Sequence, residues 1–230
     1  GAGESITVSL DEDPLAPKAH LLVSELMVLT NAALAAWAKE HGVTLLHRTQ
    51  DVAIPKEFSG IWQTPLEIAR VVKALAPAVL ETNPRPHAGL GEAMYAPSTS
   101  PLRRYPDMIN ETQIISLLRD GKPRWSKEEL DTLLPLLNAH LDAAGQVQRF
   151  RPRYWKLLYF KQQGDRWWPA VITDENDAFV TVNMPKEQMI VRARRQFFGE
   201  RTHPGQELEI RLGKVHPLQN DFQLLETREI

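Results

Sequence analysis

The hydrophobic period changes once along these 230 residues, and that change limits the fold more than any other feature. From about Ala16 to Glu40 apolar residues recur at helical spacing, as Leu22, Leu26, Leu29, Ala33 and Trp37, and Gly42 stands where such a helix would end. From about Gly164 onward the period is two. Trp168 to Thr173, Ala178 to Val182, Met189 to Arg195, Gly205 to Leu212 and Phe222 to Leu225 read as short strands, with a turn over Asp174 to Asp177. Helices first and strands afterwards make an α+β chain, with a largely helical portion over 1–163 and a strand-rich domain over 164–230. Several short strands in so few residues suit a small β-barrel of the OB-fold type, a frequent oligonucleotide binder.

Between these ends the pattern is shorter-ranged. Val43 to Leu46 reads as a strand and Pro65 to Leu80 as a helix. Asn83 to Ser100 is rich in Pro, Gly and Ser and reads as loop, with one helical turn around Gly91 to Tyr95. Ser126 with Glu129 three residues on is a capping box, opening a helix expected to run to about Ala144 before Gly145.

Composition closes several routes. Without cysteine there is no disulfide, thiol nucleophile or zinc finger. The seven histidines show no metal-ligand spacing, and neither a phosphate-cradling glycine loop nor a nucleophile elbow occurs. No apolar run reads as long enough to span a bilayer and no signal peptide opens the chain, so the expectation is a cytoplasmic protein with no membrane partner. The net charge is only −2, but from Arg149 onward 14 Lys plus Arg face 11 Asp plus Glu, so the basic excess is C-terminal.

That basic excess is interleaved with rings. Arg149, Arg151, Arg153, Lys156, Lys161 and Arg166 alternate with Phe150, Tyr154, Trp155, Tyr159, Phe160, Trp167 and Trp168. Cations neutralise phosphates while aromatic faces stack bases, as single-strand binding requires. A packing helix whose rings are core and whose arginines snorkel fits the same residues. Arg192, Arg194 and Arg195 are further candidate phosphate contacts, with a solvated strand edge as the competing reading.

The richest local pattern is Tyr95 to Asn110, Tyr-Ala-Pro-Ser-Thr-Ser-Pro-Leu-Arg-Arg-Tyr-Pro-Asp-Met-Ile-Asn. Ser100 is placed to cap a helix that Pro101 starts, so Arg103 and Arg104 would sit in its first turns, where free N–H groups and a guanidinium fork suit a phosphate. Asp107 is spaced to orient either arginine. Pro106 would bend that helix. A capped surface helix with solvated arginines is the plainer alternative. Upstream, Glu25 has Leu21, Leu22, Val28 and Leu29 at three- and four-residue offsets. A carboxylate buried there needs a donor, from the protein or from a ligand.

The Tyr95–Asn110 segment closely resembles the Thr-Ser-Pro-Ile-Arg-(Arg/Lys)-Tyr-x-Asp-x-x-Asn signature of the ribonuclease II and ribonuclease R family, whose catalytic domain is the RNB domain. Val23-Ser24-Glu25-Leu26-Met27 with Asn31 resembles the family's Val-x-Glu-x-Met-x-x-x-Asn helix, and Pro86-His87-Ala88-Gly89-Leu90 its Pro-His-(Phe/Ala)-Gly-Leu run. Gly205 to Leu225 is similar to the end of the OB domain that follows. The resemblance implies the C-terminal portion of an RNB catalytic domain plus an OB-fold domain, in a processive exoribonuclease that degrades single-stranded RNA from its 3′ end to 5′-mononucleotides with magnesium. By position it implies Arg103 at the scissile phosphate and Glu25 at the terminal nucleotides, with Tyr95, Ser100, Arg104 and Tyr105 around the substrate. Where relatives carry a glutamate shortly before the conserved tryptophan, Arg149 or Phe150 stands here.

The family's metal-binding aspartates, in a pattern like Asp-Pro-x-x-x-x-x-Asp-Asp-Ala, have no match. Asp11-Glu12-Asp13-Pro14 has the wrong spacing and reads as a solvated turn. The opening Gly1-Ala2-Gly3, without methionine, fits a portion of a longer polypeptide. The expectation is therefore that magnesium ligands and the partner N-terminal part lie outside this chain, and that the isolated chain is inactive. A catalytically inert RNA-binding protein that keeps the RNB architecture is the alternative, and a scaffold whose aromatic region binds protein is a third.

Overall fold

The computed structural model describes residues 6–10, 17–51, 56–58, 63–199 and 201–230; the acidic run from Asp11 to Pro14 lies outside them. In chain order the main elements are α1 (Pro17–Glu40), β1 (His47–Thr49), α2 (Pro65–Ala74), β2 (Val79–Glu81), α3 (Tyr105–Asp120), α4 (Lys127–Gln163), β3 (Trp167–Glu175), β4 (Phe179–Met184), β5 (Met189–Arg194), β6 (Glu207–His216) and β7 (Asp221–Glu229). The α+β expectation holds. The chain divides into two compact units, one of Leu15–Ser59 and Ala74–Asp142, the other of Gly1–Pro14, Gly60–Lys73 and Ala143–Ile230.

The first unit is mainly helical. One cluster joins Ala35, Ala38, Val43, Leu45, Ala96 and Ile114, and a second joins Leu46, Ile109, Leu130 and Leu137. The buried face of α1 is the stripe Asn31, Ala35 and Ala38, not the leucine stripe that periodicity suggested: Leu22, Leu26 and Leu29 are more than half exposed. Small residues let the helix approach its neighbours closely, whereas no described residue covers the leucines. The stretch Lys18–Glu40 is long and apolar enough, by length and composition, to cross a membrane. That corrects the sequence reading, in which scattered polar residues such as His20, Ser24 and Glu25 hid the run.

Three boundaries also shift. Val43 to Leu46 belongs to no strand, and the strand begins at His47, because the Asn110 side chain takes both backbone groups of Leu46. α2 stops at Ala74 and Val79–Glu81 becomes β2, antiparallel to β1. Pro77 has no donor for a continuing helix and disfavours helical geometry in the residue before it. In the loop, the helical turn falls at Ala88–Leu90 instead of Gly91 to Tyr95.

α4 opens on the expected capping box, with Ser126 N–H donating to Glu129 Oε2 at 2.7 Å and Glu129 N–H donating to Ser126 Oγ at 3.2 Å. It then runs 37 residues, through Gly145 and Pro152, to Gly164. An interior glycine costs only about 1 kcal/mol, which packing of the later turns offsets. Gly164, with φ of 69°, supplies the left-handed residue that stops it.

In the second unit β3 to β7 form one antiparallel sheet in the order β5-β4-β3-β6-β7. Register shifts within the β3–β4 and β6–β7 pairs bend it. The turn after β5 comes back to the far edge, where Thr227 Oγ1 donates to the Phe197 carbonyl at 2.6 Å. Leu157 and Phe160 of α4 pack against Trp168, Ile172, Val180, Val182, Met184, Val191 and Ile210 on the inner face. Each such side chain fully buried contributes about 1.5–3 kcal/mol. Within the aromatic-basic stretch, then, Phe160 and Trp168 are core, while Phe150 and Trp155 stay exposed.

Candidate nucleic-acid interface

The arginine motif does not form the helix start expected of it. Pro101, Leu102 and Arg103 make a turn in which the Ser100 carbonyl accepts from the N–H groups of Arg103 (3.2 Å) and Arg104 (3.0 Å), and α3 begins only at Tyr105. Arg104 is the cap residue, so Ser100 does not cap the helix with its side chain. The later start removes the expected bend. Pro106 falls in the first turn, where its missing N–H would have no partner anyway.

Asp107 organises this turn. It is fully buried, and its Oδ2 accepts from the Ser100 N–H at 2.9 Å, from Arg104 Nε at 3.1 Å and from Arg104 Nη2 at 2.9 Å. The arginine that it orients is therefore Arg104, which also donates to Thr99 Oγ1 at 3.4 Å. Arg103 is exposed and makes no ion pair among the described residues. The pair is divided: one guanidinium braces the turn and the other is free to meet an anion.

Two asparagines hold the loop in front of that turn. Asn31 of α1 donates from Nδ2 to Tyr95 Oη at 2.8 Å and accepts at Oδ1 from the Ser98 N–H at 2.9 Å. Asn110 of α3 donates from Nδ2 to the Pro97 carbonyl at 2.9 Å. Tyr95 is buried, so its place is in this joinery, while Tyr105 is half exposed at the head of α3. Behind them Gln50 holds the His87–Leu90 turn: Oε1 accepts from the Gly89 N–H at 2.8 Å and Nε2 donates to the Ala76 carbonyl at 2.5 Å. Burial, then the charge of Arg48, lowers the pKa of His87, whose ring lies edge-on to Tyr95. Sequence reasoning missed Gln50, which belongs to no motif.

Glu25 is exposed and has no ion pair among the described residues, which corrects the expectation of a buried carboxylate in need of a donor. The leucines around it lie open to solvent with it. Arg192, Arg194 and Arg195 belong to the other compact unit. Arg192 and Arg194 are exposed, the first with its guanidinium 4.4 Å from the Phe179 ring centre, while Arg195 is taken by Glu175 at 3.1 Å. Among the described residues no three His, Asp or Glu side chains converge as a metal site.

The RNB domain profile matches residues 6–120. This chain belongs to the RNB-domain family. An uncharacterised ribonuclease of Synechocystis sp. is 24% identical over 98% of the RNB chain, and the chloroplastic/mitochondrial ribonuclease II of Arabidopsis thaliana is 26% identical over 91% of it. The RNB chain spans 34% of the first relative's length and 26% of the second's. Among solved structures, an active-site mutant of the Dss1 exoribonuclease from Candida glabrata matches 94% of the RNB chain and 30% of its own, with a TM-score of 0.79 and 24% identity. Mycoplasma genitalium RNase R in complex with ribose-methylated single-stranded RNA matches 95% and 44%, with a TM-score of 0.72 and 16% identity. The yeast pseudonuclease Ssd1 matches 90% and 29%, with a TM-score of 0.62 and 15% identity. These likenesses establish the fold, and the Synechocystis and Arabidopsis relatives are named as ribonucleases.

Proposed function

We propose that this chain is the C-terminal portion of a 3′-to-5′ exoribonuclease that hydrolyses single-stranded RNA to 5′-mononucleotides, with 164–230 as its OB-fold RNA-binding domain. The observation that carries the reading is the divided arginine pair: Asp107 and Ser100 lock the turn through Arg104 and leave Arg103 as an exposed cation on a rigid support. A guanidinium aimed at a phosphate stabilises charge developing on its oxygens, an effect worth roughly 3 to 4 kcal/mol by analogy with oxyanion donors. Glu25 is proposed to contact the terminal nucleotides, and Arg192 and Arg194 the backbone of the incoming strand. Arg104, Ser100, Tyr95 and Tyr105 act on substrate through the shape of the turn and its flanks.

The described residues do not fit a magnesium site. We propose that the metal ligands, like the N-terminal part that completes the catalytic domain, belong to polypeptide outside this chain, in a cytoplasmic enzyme. The test is decay of 3′-labelled and 5′-labelled oligoribonucleotides by the parent polypeptide, with and without Arg103→Ala. Turnover unchanged by the substitution would remove Arg103 from the mechanism.

A second reading is a catalytically inert RNA-binding protein with the same architecture, favoured by the likeness to a pseudonuclease. An aspartate cluster upstream in the parent sequence supports the enzyme; its loss supports the binder.

A further inference from the structure

Within the second unit, away from the arginine motif, lies a groove of about 540 Å³ whose walls include Lys161 of α4, Asp165 of the turn that follows, Gly213, Lys214 and His216 of β6 and Leu225 of β7. It opens where β6 outruns its neighbour: β3 begins at Trp167, opposite Arg211, so 212–216 lie beyond it and run beside β7 alone. There Gly213 and Lys214 stand opposite the single residue Gln223, a bulge that bends the strand and re-aims its side chains. The bulge needs glycine, because a Cβ at Gly213 would lie 2.8 Å from Leu225 Cδ2. Lys161, Lys214 and His216 are exposed and make no ion pair among the described residues. Asp165 is the carboxylate in the wall, and the guanidinium of Arg211 holds both its oxygens. The charge left for a ligand is therefore that of two ammonium groups, beside the apolar surface of Val215 and Leu225.

We infer that this groove is a second contact for single-stranded RNA, one that holds the strand by its phosphates and reads no base edge; the assignment rests on the RNA-binding reading above. By sheet order it lies on the other side of β3 from Arg192 and Arg194, so it is separate from the contacts proposed there. Each nucleotide of a single strand carries one anion and one flat ring with apolar faces. The groove offers the matching pair: Lys161 and Lys214 for phosphates, and Leu225, 43% exposed, with the exposed imidazole of His216 as surfaces for a ring. Inorganic phosphate would use the lysines and leave the apolar wall wet. An acidic peptide segment would bring carboxylates without rings, and so meets half of what the groove presents.

The test is titration of the 230-residue chain with fluorescein-labelled oligo(U) over a series of salt concentrations. It is repeated on Lys161→Gln, Lys214→Gln, the double variant, Gly213→Ala, and Arg201→Gln, which removes an equal charge outside the groove. Each lysine substitution should weaken binding several-fold and lessen the slope of log affinity against log salt by about 0.7, and the double variant by about 1.4, the values of one and two phosphate contacts to a single strand. Arg201→Gln should keep the wild-type slope. Gly213→Ala should displace Leu225 and weaken binding with the slope unchanged, since it alters the wall and no charge. A wild-type slope in the double variant, an equal loss in Arg201→Gln, wild-type affinity in a folded Gly213→Ala, or displacement of oligo(U) by poly(glutamate) at matched charge would each overturn the inference. Both lysines are exposed, so their variants decide even if Gly213→Ala unfolds. Failure of the wild-type chain to bind oligo(U) would count against the RNA-binding reading itself, whereas intact binding with an unaltered slope in the double variant would overturn only the groove.

Discussion

Asn110 closes a two-way amide pair with the backbone of Leu46, accepting the Leu46 N–H at Oδ1 (2.7 Å) and donating from Nδ2 to the Leu46 carbonyl (2.9 Å) across 64 residues of sequence. The same Nδ2 reaches the Pro97 carbonyl, so one side chain joins α3, the segment before β1 and the loop ahead of the arginine turn. Asn110 is fully buried, and water cannot replace what it supplies. Asn110→Ala should therefore destabilise the chain by about 3 kcal/mol, each orphaned buried group costing about 1–3 kcal/mol. A urea midpoint unchanged from wild type would show that the joint carries no stability.

The divided arginine pair predicts opposite phenotypes for adjacent residues. Arg103→Ala should leave the unfolding free energy within about 0.5 kcal/mol of wild type, as for an exposed side chain with no ion pair among the described residues. Single-stranded RNA affinity should fall, and the slope of log affinity against log salt should lessen by about 0.7, the value of one phosphate contact to a single strand. Arg104→Ala should do the reverse in stability, costing about 1–2 kcal/mol because Asp107 would keep a buried charge without its partner; one-third exposure of the Arg104 side chain keeps the figure below that of a fully buried pair. Equal stability losses in the two variants would refute the division of labour.

These contacts show why the motif was legible and its geometry was not. Arg103, Glu25 and Asn31 stand in strings whose order survives in sequence, and the change from helical to alternating period marked where the sheet begins. Spacing alone could not reveal that Arg104 is the braced arginine, because Asp107 is compatible with either; the choice is made by Ser100, whose N–H and carbonyl fold the turn back onto the same carboxylate. Periodicity likewise misjudged α1. It scores leucines above alanines, whereas the close approach that buries a helix here uses Ala35 and Ala38. Gln50 had no local signal, since both of its partners are backbone groups distant in sequence.

Gly89 is a test of that hidden support. A Cβ at this position would lie 2.6 Å from Gln50 Oε1, too close for any real contact, and the amide it would displace is itself buried. Gly89→Ala should push Gln50 from both the Gly89 N–H and the Ala76 carbonyl, at a cost of about 1–3 kcal/mol. Faster hydrogen exchange should appear at the amides of Ala88 and Gly89. Protection equal to wild type at both amides would mean that Gln50 does not hold the turn.

His47 gives the helical unit a dependence on pH. Burial holds its pKa down to about 4, against about 6.5 in the unfolded chain. Between those values the unfolded chain binds a proton that the folded chain refuses, so the stabilisation is complete above pH 6.5 and is lost as the pH falls toward 4. From pH 6.5 to 5, where most carboxylates remain ionised, the loss from this one group should be about 2 kcal/mol. Urea unfolding at pH 7, 6 and 5 should follow that slope, and His47→Gln, which cannot titrate, should flatten it by that amount. A variant with the wild-type slope would move the pH dependence to other groups and leave His47 an ordinary core residue.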